Sequence, residues 1–249
     1  MCAAASRNAN LVCFLLDNGA DVTFCNNLQR TALHEAAAVA NNVDVLRLLI
    51  EHGADVNATD DDGALPIERT RGVANCWCLL EAGADRERAL LAAADRQLID
   101  IIDELINRGV DVDARSVHAG WTALMNATNV GKTAPVSLSR LLAYGADVNS
   151  CSTNPNLTAL GIAIGNDSAA CCARLLAAGA DANAECWNGI TPLHYALRGR
   201  YKCVLLLLAA GADIRGLFEC GRLEIWDCAS AQQRNFQCLL VAAGATGCP

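Results

Sequence analysis

Aromatic side chains are scarce in this chain. Phe, Trp and Tyr make up 4% of its 249 residues, although 53% are hydrophobic. Alanine and leucine therefore carry the apolar content, which disfavours a β-sandwich and favours closely packed helices. Basic residues are also in deficit, with 19 Lys and Arg against 27 Asp and Glu and a net charge of −8. Nucleic acid and anionic lipid repel an acidic chain at long range, so neither is an expected partner. Long apolar runs are missing too: the longest, residues 203–212, is far short of the roughly 20 residues that cross a bilayer. The opening “MCAAASRNAN” has no basic start followed by an apolar stretch. A secretory leader is not expected, and the expected location is intracellular, in the cytoplasm.

Cysteine is the exception to this thinness, with 14 residues. No C-x-x-C spacing occurs among them, and Cys76-Trp77-Cys78 and Cys171-Cys172 are too tight for a structural zinc site. Cys76, Cys172 and Cys203 stand where neighbouring segments carry Val or Leu, so they read as reduced thiols filling a core. “GKT” at residues 131–133 lacks the Gly of a phosphate-binding loop, since Asn126 holds that place. “DDDG” at residues 60–63 lacks the ligand spacing of a calcium loop and reads as a solvated acidic turn. The basic “RGRYK” at residues 198–202 reads as a solvated loop or a patch for an acidic protein. Four histidines and no nucleophile motif leave no catalytic residue, metal or cofactor to expect.

Aligned on the glycine of “LLxxGA”, the chain repeats itself. Gly19, Gly53, Gly83, Gly109, Gly145, Gly179, Gly211 and Gly244 follow at steps of 34, 30, 26, 36, 34, 32 and 33 residues. An aliphatic pair precedes each, from Leu15-Leu16 and Leu49-Ile50 to Leu207-Leu208 and Leu240-Val241. A period near 33 marks an array whose repeats bury their apolar faces on one another. In the seventh repeat Thr191 is placed to cap a helix with its hydroxyl, and Pro192 suits the first helical position. Val204, Leu207 and Leu208 share one face of a second helix, which Gly211 ends in the left-handed conformation.

Thr31-Ala32-Leu33-His34, Thr122-Ala123-Leu124 and Thr158-Ala159-Leu160 repeat the helix start, and “GADVN” recurs at residues 53–57 and 145–149. On these motifs the chain resembles the ankyrin repeat over essentially its whole length. The resemblance implies an all-α solenoid of stacked helix-turn-helix pairs with projecting β-hairpin fingers. About eight repeats would form a single domain over residues 1–249, bounded near 1–22, 23–56, 57–85, 86–112, 113–148, 149–182, 183–214 and 215–249. It also implies that His34 and His194 hydrogen-bond between repeats. Several repeats depart from the pattern. The first begins inside its first helix, and the third has Leu65 in place of the capping Thr. In the fourth, Asp85 is followed almost at once by “RALLAAAD”, so the finger is missing. The fifth has a long inter-helix loop, “NATNVGKTAPVS”, and the eighth reads Leu223-Glu224-Ile225-Trp226 at the helix start.

A solenoid offers a long, shallow surface, which suits protein recognition better than small-molecule chemistry. The resemblance implies a non-catalytic interaction module or scaffold, with contacts on the fingertips and the exposed side of the first helices. Those positions are Asn27, Leu28 and Arg30 in the second repeat, and Val117, His118 and Trp121 in the fifth. In the seventh they are Trp187, Asn188, Ile190, Arg198 and Tyr201. The expected partners are proteins, or neighbouring repeats of a longer chain, because both ends look apolar where arrays need polar caps. Two alternatives stay open: a self-associating segment of a larger array, or the substrate-recruiting part of a ubiquitin-ligase adaptor whose recruiting box is not in this chain. Asn57, Asn149 and Asn183 resemble sites of asparaginyl hydroxylation in the family, and they are also turn residues that the fold itself wants.

Overall fold

The computed structural model describes residues 1–117, 119–131, 135–153, 156–185 and 190–214. The chain divides into two compact units, Met1–Ser116 and Val117–Pro249. Among the described residues twelve α-helices form and no sheet; β-structure is limited to isolated bridges such as that between Cys151 and Thr158. The eighth repeat lies outside the described residues.

In the first unit a 3₁₀ turn at Ala4–Ser6 stands in place of a first helix and leads into α1 (Ala9–Asp17). The pair α2 (Ala32–Ala37) and α3 (Val43–Glu51) follows. Next come a 3₁₀ turn at Pro66–Arg69 with α4 (Val73–Glu81), and then α5 (Arg86–Asp95) with α6 (Ile99–Asn107). Two rows result. The first helices run from the Ala4–Ser6 turn through α2 and the Pro66–Arg69 turn to α5, while α1, α3, α4 and α6 stack beside them. The second unit repeats the plan with α7 (Ala123–Asn129), α8 (Val136–Ala143), α9 (Ala159–Gly165), α10 (Ala169–Ala177), α11 (Pro192–Ala196) and α12 (Tyr201–Ala209). There α9 lies between α7 and α11, and α10 packs on α12.

The second helices are amphipathic at helical spacing. The residues eight, seven and four places before the terminal glycine form the stacking face. Val45, Leu46 and Leu49 of α3, Ile101, Ile102 and Leu105 of α6, and Cys203, Val204 and Leu207 of α12 are all at most 2% exposed. Burying one such aliphatic side chain contributes about 1.5–3 kcal/mol. Cysteines serve there as small aliphatics, with Cys76, Cys171, Cys172 and Cys203 all buried and no disulfide among the described residues. Burial pushes the Cys76 thiol up to about 11. Each helix then ends on glycine. After α3, Gly53 takes φ of +87°, and Ala54 N–H reaches back to Leu49 O at 2.9 Å. Nothing crowds the place of a Cβ at Gly53, so left-handed backbone alone demands glycine.

The helix starts depart from the sequence reading in an instructive way. Thr122 and Thr158 cap as expected, their hydroxyls accepting the N–H of Met125 and of Gly161. Where His follows, the hydroxyl meets the imidazole instead: Thr191 Oγ1 lies 2.8 Å from His194 Nδ1, and Thr31 Oγ1 lies 3.0 Å from His34 Nδ1. Pro192 does open α11. Without a capping Thr at position 65, only the Pro66–Arg69 turn forms. In the fourth repeat Asp85 caps α5 directly, accepting from Glu87 and Arg88 N–H. The long inter-helix loop is shorter than expected, because α7 continues to Asn129. α8 begins at Val136, and between the two helices Lys132, Thr133 and Ala134 lie outside the described residues.

Polar side chains tie repeat to repeat. Asn57 donates to Gly83 O at 3.1 Å and accepts from Asp85 N–H at 3.0 Å. Asn149 does the same with Gly179 O at 3.2 Å and Asp181 N–H at 2.8 Å, and Asn183 accepts from Asp213 N–H at 2.6 Å. At the inter-helix turns, buried Asn42 donates to Ala4 O and Ala36 O, and buried Asn75 accepts from Asn42 N–H and donates to Ala37 O and Val39 O. Replacing Asn149 with Ala is expected to cost the second unit about 1 kcal/mol or somewhat more, since two main-chain groups lose their partner. Urea denaturation monitored by circular dichroism measures it.

Candidate functional site

The loops between helix pairs grow out of short polar turns, and no β-hairpin forms among the described residues. Asn26 Oδ1 accepts the N–H groups of Leu28 and Arg30, and Asn26 N–H closes the loop on Arg30 O at 3.0 Å. One period later Asp60 does the same work: its Oδ1 accepts from Asp62 and Ala64 N–H, and its N–H bonds Ala64 O at 3.0 Å. These two loops are joined at the tip, where Asp61 N–H donates to Leu28 O at 3.1 Å. In the second unit Thr153 N–H donates to Ala119 O at 3.0 Å in the same manner. Close approach there requires Gly120, because a Cβ would meet Thr153 Cγ2 at 2.7 Å and φ is +62°.

Asp60 overturns the reading of “DDDG” as solvated throughout. Asp61 and Asp62 are exposed, but the Asp60 side chain is 1% exposed. Its Oδ2 accepts from Arg69 Nη2, and from Arg30 Nε at 3.4 Å, while Arg69 also reaches Asp62 at 3.2 Å. Burial works against the charge, yet the Ala64 N–H and the guanidiniums of Arg69 and Arg30 outweigh it and hold the carboxyl below the usual range. A second cluster lies alongside. Glu68 accepts from Leu65 N–H at 2.7 Å and from Arg88 Nη1 at 2.9 Å, and Arg88 also donates to Gly63 O.

His34 links the finger loop to the helix row, as the resemblance implied. Its Nδ1 accepts from Thr31 N–H at 3.2 Å, so Nε2 carries the proton and donates to Ala64 O at 3.1 Å. Burial lowers its pKa and keeps the ring neutral.

The contact residues read from the sequence fall into several places. Asn27 and Leu28 are exposed at the tip, and Leu28 is 49% exposed. Arg30 is half-buried and engaged with Asp60. In the second unit Val117 is exposed, while Trp121 and Ile190 are half-buried. His118, Trp187 and Asn188 lie outside the described residues. Arg198 and Tyr201 are not on the exposed side of a first helix. Arg198 is in the turn after α11 and Tyr201 opens α12, at the far end of the pair from Ile190. Tyr201 and Lys202 line an open cleft of about 590 Å³ with Asp167, Ala169, Ala170 and Gly199. Arg200, within the basic run, is structural: it donates to Gly165 O at 3.0 Å and stacks 5.0 Å from the Tyr195 ring. Sequence reasoning missed Asp60, Glu68 and Asn75. For Asp60 the available signal was its place 34 residues after Asn26, the same turn position one repeat on.

A family profile described as ankyrin repeats (3 copies) matches residues 1–69 and 131–216, more than half the chain. The chain belongs to the ankyrin repeat family. The putative ankyrin repeat protein FPV031 of fowlpox virus (strain NVSL) is 36% identical over 114 residues, 45% of this chain and 33% of that protein. The B-cell lymphoma 3 protein homolog of Mus musculus is 35% identical over 121 residues, 48% of this chain and 26% of that one. The chain thus spans a third or less of the length of these relatives. Among solved structures, the human ASB11 ankyrin repeat domain superposes with a TM-score of 0.68 at 22% identity, covering 85% of this chain and 96% of that one. An ankyrin repeat domain from Acinetobacter baumannii AYE gives 0.51 at 31% identity with the same coverage. Ankyrin repeats generally mediate protein–protein interaction, and no enzyme family is indicated.

Asp60→Asn is expected to lower the stability of the first unit by about 2 kcal/mol at pH 7, since Arg30 loses its counter-charge and Arg69 keeps only the exposed Asp62. The folded-state pKa of Asp60 is depressed, so its contribution is present above the ordinary value of 3.8 and is lost as pH falls through the folded value. Wild-type and variant melting curves should therefore converge below about pH 3.8.

Proposed function

We propose that this chain is a non-catalytic protein-binding module of the cell interior, and that the finger and first-helix face of Met1–Ser116 receives a partner protein. The observation that carries this reading is the fingertip built on Leu28. A large apolar side chain stands in water there on a loop held by its own turn, by the neighbouring finger and by the Arg30–Asp60–Arg69 cluster. A contact already ordered before binding avoids much of the entropy cost of docking. Three aspartates against two arginines leave this tip acidic. The partner segment therefore presents a basic residue beside an apolar one. Exposed Val117, with Trp121, marks the corresponding region of the second unit. The buried thiols, unpaired by disulfide among the described residues, accord with a reducing compartment.

The test begins with proximity labelling in cells and continues with calorimetry on the purified partner. Leu28→Asp should weaken binding at least tenfold, about 1.4 kcal/mol, and added salt should weaken the wild type. Leu205→Asp, on the exposed side of α12, should leave affinity unchanged. Equal affinity of Leu28→Asp and wild type would sink the fingertip reading.

A further inference from the structure

Two buried thiols of the second unit meet across a junction between repeats. Cys172 of α10 and Cys203 of α12 are both 0% exposed, on helices that pack directly on each other. Their sulfurs lie 3.6 Å apart, with the Cys172 thiol donating to the Cys203 sulfur. In register, Cys172 stands seven places before its terminal glycine and Cys203 eight places before the next one. The same two seats hold Val12 and Val45, Leu46 and Asn75, Cys76 and Ile101, and Leu138 and Cys171 at other junctions. Stacking is therefore satisfied without a thiol at either seat, and among these junctions only this one brings cysteine to both. A second feature coincides with the pair. The open cleft of about 590 Å³ is lined by residues from the start of the same two helices. Ala169 and Ala170 line it just before Cys172, and Tyr201 and Lys202 line it just before Cys203. A small solute in that cleft is within one helical turn of both sulfurs.

We propose that Cys172 and Cys203 are an oxidative modification site, at which hydrogen peroxide joins them in a disulfide that staples the sixth repeat to the seventh. The Cys203 sulfur attacks one peroxide oxygen, the O–O bond breaks, and the thiol proton leaves with the departing hydroxide as water. Cys203 is then a sulfenic acid. The Cys172 sulfur attacks the Cys203 sulfur, an S–S bond forms and the S–O bond breaks, and the Cys172 proton leaves with the hydroxide as a second water. In sum the two thiols give up two electrons and two protons, and one peroxide becomes two waters. Cys203 reacts first because the hydrogen bond from the Cys172 thiol lowers its pKa, against the opposing effect of burial. The sulfurs close by about 1.5 Å to reach the roughly 2.05 Å of a disulfide. Cys171 takes the other seat of α10, the one paired by register with Leu138, and so serves as an internal control.

The test treats the reduced full chain with hydrogen peroxide, alkylates the remaining thiols and maps the links by tryptic digestion and fragmentation mass spectrometry. The expected main intrachain link joins Cys172 to Cys203, and dithiothreitol reverses it. The linked protein should melt at a higher temperature than the reduced one, because the closed loop restrains the unfolded chain. Cys171→Ala should keep the link. Cys172→Ala should lose it and leave a sulfenic acid at Cys203 that dimedone captures. If Cys172→Ala does not keep the wild-type circular dichroism spectrum, the link map of the wild type decides by itself. In urea that unfolds the chain, the preference for Cys172 over the adjacent Cys171 should vanish. A main link from Cys203 to Cys171 or to any other cysteine overturns the proposal. So does a preference that survives in urea, or a Cys172 and Cys203 that are both still reduced once the exposed Cys2 is fully oxidised. Fingertip binding, read through Leu28→Asp, is independent of this outcome.

Discussion

No repeat in this chain can bury its own apolar stripe. A nine-residue helix such as α3, with Val45, Leu46 and Leu49 on one side, becomes stable only when neighbouring helices cover it. The other features of the fold serve that requirement. Glycine with positive φ turns the chain sharply after each second helix, so the next repeat starts close enough to cover the last. Alanine fills the first helices, where all of α2 but Glu35 and the Ala89–Ala94 stretch of α5 are buried, because small side chains let the rows approach. Cysteine is used in the same spirit, as a residue of intermediate size between Ala and Leu.

Hydrophobic stacking alone would allow repeats to slide. Their register is set by polar groups that each recognise one main-chain site on the neighbour. Asn57 and Asn149 use both ends of the carboxamide, one on a glycine carbonyl and the other on an aspartate N–H. His34 spans from its own helix start to Ala64 of the following loop. Each bond is worth little by itself, but a slipped register would leave several buried donors and acceptors unpaired. The buried asparagines Asn42 and Asn75 make this penalty steepest in the first three repeats.

The helix pairs were legible in the sequence because they follow from a period, a terminal glycine and an aliphatic pair, all local. So was the helix start at Asp85, which stands directly before a good helix. The placement of Arg198 and Tyr201 was less legible. α11 ends at Ala196 and Gly199 takes φ of +112° just beyond it, so both residues lie past the helix end. Least legible was Asp60. Nothing in “DDDG” separates a buried aspartate from its exposed neighbours. The difference is made by Arg30, from one repeat back, and by Arg69, from the next helix start. Such a contact depends on two loops meeting, and a single sequence carries only the period that lets them meet.

The Arg69 position shows how the array separates scaffold from specificity. Counting from the helix start, it corresponds to Glu35, Asn126, Ile162 and Tyr195 in other repeats. Two residues earlier in the same helices stand Leu33, Ile67, Leu124, Leu160 and Leu193, all fully or nearly fully buried. One slot is held to aliphatics by stacking. The other is only partly buried at Glu35, Arg69, Asn126 and Tyr195, where it varies in charge, size and polarity, and is buried at Ile162. Arg69 uses that freedom to neutralise Asp60, whereas Tyr195 uses it to hold Arg200. At Arg69 that slot braces the turn whose Asp61 N–H holds Leu28 O, and at Tyr195 it braces the turn that carries Arg200.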